Sequence, residues 1–348
     1  MVALVEHAQR QQMTDPLSIV IVNWNGCALL QRCLAALVPQ LVVGDQVIVV
    51  DNGSHDESVT WLKTTYPNIT CIALPTNIGF SGGNNAALPA CTNPWIFLLN
   101  NDAFVEPGAL AALRAATTCG VRVGAISATM VFDHAPDLIA SNGIVLRRDG
   151  VALDHGMTDH VRDLPAQPFA VTGASGGAVL LRRTMIDDIG LFPDDFFNYL
   201  EDVDLAWRAI LRGWQTLSCP TAHIRHVYSA TSGQGSPFKQ HLLGRNRWRT
   251  LIRCLPPALW WRLWHHMLAY ELAAWIGLAW YGAWSGIAGR FSNLRDLPVL
   301  LSQRHEIQRR RTVSDRTIEA FLAPAPWPWH ELQNIRRLAA VLAARRTQ

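Results

Sequence analysis

Five apolar residues, Trp95-Ile96-Phe97-Leu98-Leu99, run without a break into Asn100, Asn101 and Asp102. A short apolar run closed by polar turn formers is the pattern of a strand buried on both faces. Such strands build α/β sheets, where ligands bind in the crevice past the carboxyl ends of the strands. Asp102 therefore stands where a ligand would sit. Taken alone, the three polar residues would be read as a plain turn, since all of them favour turns.

Repetition weighs against the plain turn. Residues 17–22, apolar apart from Ser18, form a second strand-like run, closed by Asn23-Trp24-Asn25-Gly26, and residues 47–50 a third, closed by Asp51-Asn52-Gly53-Ser54. Residues 69–73 are followed by a glycine-rich stretch over 77–85, read as a loop before a short Ala-rich helix that ends at Ala90. Helical spacing spans residues 27–38 and stops at Pro39, Asp56 and Glu57 suit the start of a short helix, and Pro107 opens another. Alternating strands and helices predict an α/β fold with a single, mostly parallel, Rossmann-like sheet flanked by helices on both faces. No G-x-G-x-x-G follows the first strand and no Gly-Lys-Ser/Thr occurs, which excludes a dinucleotide fingerprint and a P-loop. Asp51, ending the second strand, is placed to accept hydrogen bonds from a ribose or base.

Residues 121–170 are less regular and carry no specific chemistry; His134, His155 and His160 read as turn or surface residues, with no second ligand at tight spacing. Small residues over 172–177 precede the apolar run 178–181. Next comes Phe196-Phe197-Asn198-Tyr199-Leu200-Glu201-Asp202-Val203-Asp204, with three carboxylates at the start of a helix. Asp204 reads as a residue that complements the helix dipole. Glu201 and Asp202 follow aromatic residues, and a partly desolvated carboxylate there suits a general base. His223 and His226 lie three apart in a strand-like stretch and so face opposite sides, one as ligand and one as structure. Residues 229–237, rich in Ser and Gly, read as a mobile loop.

Charge divides the chain. Residues 1–238 carry 13 Lys+Arg and 21 Asp+Glu, residues 239–348 carry 17 and 6. The expected organisation is a flexible lead over 1–16, a catalytic domain over 17–238 and a basic, Trp-rich helical region over 239–348. Seven scattered cysteines without a C-x-x-C pair fit reduced thiols in the cytoplasm, and the polar first fifteen residues do not read as a signal peptide. Seven of the 14 tryptophans lie between Trp248 and Trp284, interleaved with arginines, the composition of a membrane-interface helix. Residues 272–288 hold no charge but fall short of the roughly 20 residues needed to span a bilayer. They read as a monotopic or in-plane anchor on an anionic membrane surface. The competing reading is a helical pair packed on the catalytic domain, or a homodimer interface. Nucleic acid is not an expected partner, given the acidic catalytic domain.

Three of these stretches, residues 18–25, 49–54 and 77–84, together with Leu98-Leu99-Asn100-Asn101-Asp102 and Tyr199-Leu200-Glu201-Asp202-Val203-Asp204-Leu205, resemble the family 2 glycosyltransferases of the GT-A fold. Arg245-Asn246-Arg247 before an apolar segment is similar to their bacterial rhamnosyltransferase-like branch. The resemblance implies an inverting transferase, with L-rhamnose from dTDP-rhamnose as the first expectation. The donor is a nucleotide-diphosphate sugar and the acceptor a lipid-linked or cell-surface glycan at the cytoplasmic membrane face. It implies Asp202 as base with Glu201 beside it. Asn23, Asn25, Asp51, Asn77, Gly82, Gly83, Asn84 and Asn101 would bind donor. Asp102 and His226 would hold a divalent cation, Mg²⁺ or Mn²⁺. The sequence departs from the Asp-x-Asp motif at Asn100, and Gly244 stands where polymer-forming relatives have the Gln of Gln-x-x-Arg-Trp, which points to single-sugar addition. A sugar nucleotidyltransferase would need a glycine-rich loop with Arg and Lys after the first strand, which is absent here. A non-catalytic scaffold of the same fold would be indifferent to Asp202→Asn.

Overall fold

The computed structural model describes residues 15–227, 236–326 and 328–344. Most of the expected lead over 1–16 and of the expected loop over 229–237 lies outside the described residues.

The first half alternates as its sequence pattern requires: β1 (Leu17–Asn23), α1 (Cys27–Leu37), β2 (Gln46–Asp51), α2 (Ser58–Thr65), β3 (Thr70–Ala73), α3 (Gly79–Ala87), β4 (Trp95–Asn100), β5 (Ala103–Val105) and α4 (Ala109–Ala116). Then follow β6 (Val123–Phe132), β7 (Ala135–Ser141), β8 (Ile144–Leu146), β9 (Ala152–Asp154), β10 (Phe169–Val171), β11 (Ala178–Arg182), α5 (Arg183–Ile189), α6 (Glu201–Leu211) and β12 (Gln215–His226). The chain ends in helices: α7 (Pro237–Cys254), α8 (Pro257–Trp280), α9 (Trp284–Arg309), α10 (Asp315–Phe321) and α11 (Pro328–Ala344).

The main sheet runs β10-β12-β6-β11-β4-β1-β2-β3, with β5 on β12 and β7 on β6, while β8 and β9 form a separate pair. Helices cover both faces because the central strands are apolar on both. Ile19, Ile21, Val49, Phe97 and Leu99 pack with Leu34 of α1 and Leu113 of α4, whereas Val20, Ile48, Ile96 and Leu98 pack with Ile186 of α5 and Leu205 of α6. The sheet is mixed rather than mostly parallel. Parallel pairing holds for β3-β2-β1-β4 and for β12-β6, but β11 runs antiparallel to both β4 and β6. Burial on both faces makes these strands alike in sequence, so their direction leaves no mark in the periodicity.

A third core joins the sheet domain to the tail, with Val203, Trp207 and Ile210 of α6 against Leu251, Leu259, Leu263 and Met267 of α7 and α8. Helices α7 and α9 approach closely because a side chain at Gly289 would collide with the His241 backbone. The uncharged run 272–288 is not one segment: α8 stops at Trp280 and α9 starts at Trp284, with Gly282 in the left-handed region at φ +65° between them. Among the described residues no helix is long and apolar enough to cross a membrane.

Candidate active site

Parallel pairing sets the carboxyl ends of β1, β2 and β4 side by side, with Asn23 opposite Asp51 and Val22 opposite Asn100. Asn101 Nδ2 donates to Asn23 Oδ1 at 2.8 Å, and Asn23 Nδ2 donates to Asp51 Oδ1 at 3.4 Å. The Ser54 N–H donates to Asp51 Oδ2 at 2.9 Å, and Ser54 Oγ accepts from the Asn25 N–H at 2.9 Å. Asn52 extends the network by donating to Asn77 Oδ1 at 3.0 Å. Asn23, Asn25, Asp51, Asn77 and Asn101 thus meet in one polar network at the end of the sheet.

Gly82, Gly83 and Asn84 add no hydrogen bond to this network, although Gly83 adjoins Asn52. The glycine-rich stretch is helix α3 from Gly79 onward, not a loop, and these three residues are buried within it. A Cβ on Gly83 would crowd Val22 of β1, one on Gly82 would crowd Ile78, and Asn84 Nδ2 donates to the Phe80 carbonyl at 2.9 Å. Close packing on β1 accounts for Gly83 and close packing on Ile78 for Gly82, at the cost of low helix propensity.

Asp102 and His226 are joined by strand pairing. β5 runs antiparallel to the end of β12 with Ala103 opposite His226, and the Val227 N–H donates to the Asp102 carbonyl at 3.1 Å. His226 Nε2 then lies 3.2 Å from Asp102 Oδ1. Burial pushes the imidazole pKa down, but the Asp102 carboxylate more than offsets this and the net shift is upward. His223 faces the other way, 3.9 Å from Glu106, so the odd spacing separates the two rings as expected.

Beside this pair opens a pocket of about 260 Å³, lined among others by Asn100, Asp154, Gly176, Glu201, Asp202 and His226. Asp202 accepts from the N–H groups of Gly176 at 3.0 Å and Val203 at 2.8 Å. Burial still raises its pKa above the usual carboxylate value. Glu201 is 5% exposed and its Oε2 has no hydrogen-bond partner. Burial, and then the neighbouring Asp202 charge, hold its pKa well above the usual value. Asp204, fully buried, binds Arg208 at 2.6 Å and Arg253 at 3.3 Å and ties α6 to α7; these ion pairs, which the expected dipole role did not include, occupy its carboxylate.

Two residues take places that the sequence did not assign: Asp154, and Asn246, which it marked only within Arg245-Asn246-Arg247. Asp154 of β9 lines the pocket, and burial pushes its carboxyl up to about 6, with Asp202 adding to the rise. It comes from the irregular 121–170 stretch and carries no local motif. The second is Asn246. Phe197, Tyr199 and Leu200, just before Glu201, all have positive φ, at +65°, +70° and +65°. L-residues adopt this region only when the surroundings compel it. Asn246 Nδ2, fully buried, donates to the carbonyls of Phe196 at 3.1 Å, Asn198 at 3.0 Å and Tyr199 at 2.7 Å. Gly79, at φ +81°, leaves room for the Phe197 carbonyl, which a Cβ there would strike.

Among the described residues no group of three or more His, Cys, Asp or Glu is arranged to hold a metal ion. Asp102 and His226 offer one carboxylate and one imidazole, and an ion bound there would take its other ligands from phosphate oxygens and water. Hard divalent cations are commonly held in that way, so the pair fits such an ion.

Residues 18–190 match the family described as Glycosyl transferase family 2. The chain belongs to that family. As a family 2 glycosyltransferase it is 25% identical over 271 residues to the N-acetylglucosaminyl-diphospho-decaprenol L-rhamnosyltransferase of Mycobacterium tuberculosis, covering 72% of this chain and 88% of the relative. It is 22% identical over 225 residues to the O-antigen chain rhamnosyltransferase RfbN of Salmonella typhimurium, covering 62% of this chain and 67% of the relative. The GT-A fold is shared with solved structures. GalNAc-T7, with UDP, GalNAc and Mn²⁺, aligns at TM-score 0.57 and 15% identity over 69% of this chain and 48% of its own. The mannosyltransferase PcManGT of Pyrobaculum calidifontis, with GDP-Man and Mn²⁺, aligns at 0.50 and 15% over 88% and 92%. In this family 2 chain the polar network and the carboxylate pocket lie on either side of the Asn100–Asp102 turn.

Proposed function

We propose that this glycosyltransferase moves a sugar, with L-rhamnose from dTDP-rhamnose the first candidate, from a nucleotide-diphosphate donor to a hydroxyl of a lipid-linked or cell-surface glycan, with inversion at the anomeric carbon. The observation that carries the reading is the pocket holding Asp202 and Glu201 beside the Asp102–His226 pair. The two relatives' names support the sugar, and the mycobacterial relative's name supports a lipid-linked acceptor.

Asn23, Asn25, Asp51, Asn77 and Asn101 are assigned to the nucleotide, with Asp51 accepting from the ribose or base. Gly82, Gly83 and Asn84 are assigned to the same donor site through α3, whose Gly83 packs on Val22 of β1 beside Asn52. Asp202 takes the proton of the acceptor hydroxyl as the new bond to the anomeric carbon forms and the bond to the diphosphate breaks on the opposite side. Its oxygens are held in place by the Gly176 and Val203 N–H groups. Glu201 positions the acceptor. A divalent cation, Mg²⁺ or Mn²⁺, held by Asp102 and His226, supplies charge stabilisation to the departing diphosphate when bound.

The sheet domain over 17–238 is assigned the chemistry, and 239–348 the acceptor side and contact with the anionic inner face of the cytoplasmic membrane. Trp261, Trp264, Trp280 and Trp284 are exposed on α8 and α9 and support that assignment. The test is donor binding and hydrolysis across a panel of nucleotide sugars with Mg²⁺ or Mn²⁺. Saturable, metal-dependent binding of one donor, lost in Asp102→Ala, is expected. Folded protein that ignores every donor would sink the proposal.

A further inference from the structure

A second cavity, of about 460 Å³, lies against the catalytic pocket, and the two share Ala152, Leu200, Val203 and Leu243 as a common wall. Helices α6, α7 and α8 enclose it with Trp207, Leu251, Tyr270, Ala274 and Leu278. Close-packed interiors do not leave spaces of this size, whereas ligand sites of about 300–1,000 Å³ with apolar walls and a few placed polar groups are common.

The polar groups are specific. Arg247 and Arg290 reach the lining, and both pair with Glu271, which does not line it. Two guanidiniums against one carboxylate leave a net positive charge at the wall. Arg247 Nε is buried without a hydrogen-bond partner. An anion at one end and an apolar body along the rest is the complement of this surface. The helix that forms one wall, α8, carries Trp261, Trp264, Leu268, Leu272, Ile276 and Trp280 exposed on its outer side. A chain leaving the cavity along α8 therefore meets an apolar surface.

We infer that this cavity holds the first, phosphate-proximal part of the apolar chain of a lipid-linked acceptor, with Arg247 and Arg290 facing its phosphate groups. The shared wall then sets the acceptor's sugar beside Glu201 and Asp202. The inference rests on the transferase reading above and names the part of the acceptor that reading leaves open.

Gly277 provides the test. It lies in α8, lines the cavity, and a Cβ built on it meets nothing within 4 Å. Gly277→Phe therefore fills the space while favouring the helix. Ala274→Phe, one turn earlier on the same face, is the second variant. Binding of a fluorescent farnesyl diphosphate to the purified full chain is measured beside inorganic diphosphate and beside the nucleotide-sugar panel. The farnesyl probe is expected to bind at least about ten-fold more tightly than inorganic diphosphate, and each variant to weaken it by about ten-fold or more with donor binding unchanged. Equal binding of the two diphosphates overturns the inference. So does a probe affinity that both folded variants leave untouched, or displacement of the probe as readily by an uncharged detergent as by unlabelled farnesyl diphosphate. The two readings fail separately: loss of all donor binding with an intact, variant-sensitive farnesyl site removes the transferase reading alone. Normal donor binding with no farnesyl site removes only this inference.

Discussion

Asp202 and Glu201 are neighbours with different surroundings. Asp202 is held by two backbone N–H groups and opens into the pocket, while Glu201 is buried with an unpartnered oxygen. In the proposed role of base, Asp202 must be ionised, and burial raises its pKa, so transfer should gain rate with rising pH as the pair ionises. Asp202→Asn is expected to lower kcat by about 10²–10⁴-fold and to remove that pH limb, with donor affinity kept; a full kcat and KM profile against pH checks it. Glu201 makes a separate prediction about stability. A carboxyl whose folded pKa lies above its unfolded value near 4.5 favours folding below that value, and the contribution is lost as pH rises through the folded pKa. Glu201→Gln should therefore raise the melting temperature at neutral pH by about 2–4 °C, and the gain should vanish below about pH 4. Equal melting at both pH values would show that Glu201 is not held neutral. Asp202 was legible in the sequence because aromatic residues and a helix start flank it. Asp154 was not, because only the pairing of β8 with β9 brings its carboxyl to the pocket.

At the scale of elements, the turn before α6 is held in a costly shape by a helix more than forty residues further on. Three left-handed, non-glycine residues stay in place because Asn246 satisfies three of the turn's carbonyls. Asn246→Ala removes those bonds; the Phe196 carbonyl still accepts from Arg245 Nη2 at 2.9 Å and from the Asn198 N–H at 2.8 Å, so the loss falls on the Asn198 and Tyr199 carbonyls, at about 1–3 kcal/mol for a buried acceptor that loses its donor. The expected result is a fall in kcat of about ten-fold or more, with a smaller change in KM for the donor, since the polar network proposed to bind the donor meets the turn only by way of α3, where Gly79 bonds Asn77 and packs on Phe197. A loss seen only in melting temperature would mean that the turn does not position Asp202. The same long-range dependence explains what could be read from the elements. Residues 17–22, 47–50 and 95–99 declared themselves as strands because their apolar runs are short and sharply closed. Helix α3 did not, because its glycines answer to Val22 and to the Phe197 turn rather than to local propensity.

Across the whole molecule, charge and aromatic surface are concentrated in the C-terminal region. The exposed apolar residues of α8 and the start of α9 include Trp261 at 83%, Trp280 at 84% and Trp284 at 64% exposure, on a segment with 17 Lys+Arg and 6 Asp+Glu over residues 239–348. Part of that charge is spent inside the fold: Arg249 pairs with Asp195 and Asp296, and Arg247 and Arg290 with Glu271. In the proposed membrane contact, attraction to lipid comes from what remains outside, at about 1 kcal/mol for each basic residue near an anionic surface, together with burial of the indole rings. These two contributions respond differently to salt. With anionic vesicles, binding measured by flotation should weaken on raising salt from 0.05 to about 0.5 M, because charges beyond a Debye length are screened. The part carried by the rings should remain and should fall when Trp261, Trp264 and Trp280 are changed together to Ala. Binding that salt abolishes and the triple variant leaves untouched would assign the contact to charge alone. No binding to anionic or neutral vesicles, by folded protein, would leave the aromatic face to a second copy of the chain, and sedimentation at rising protein concentration would then show that copy.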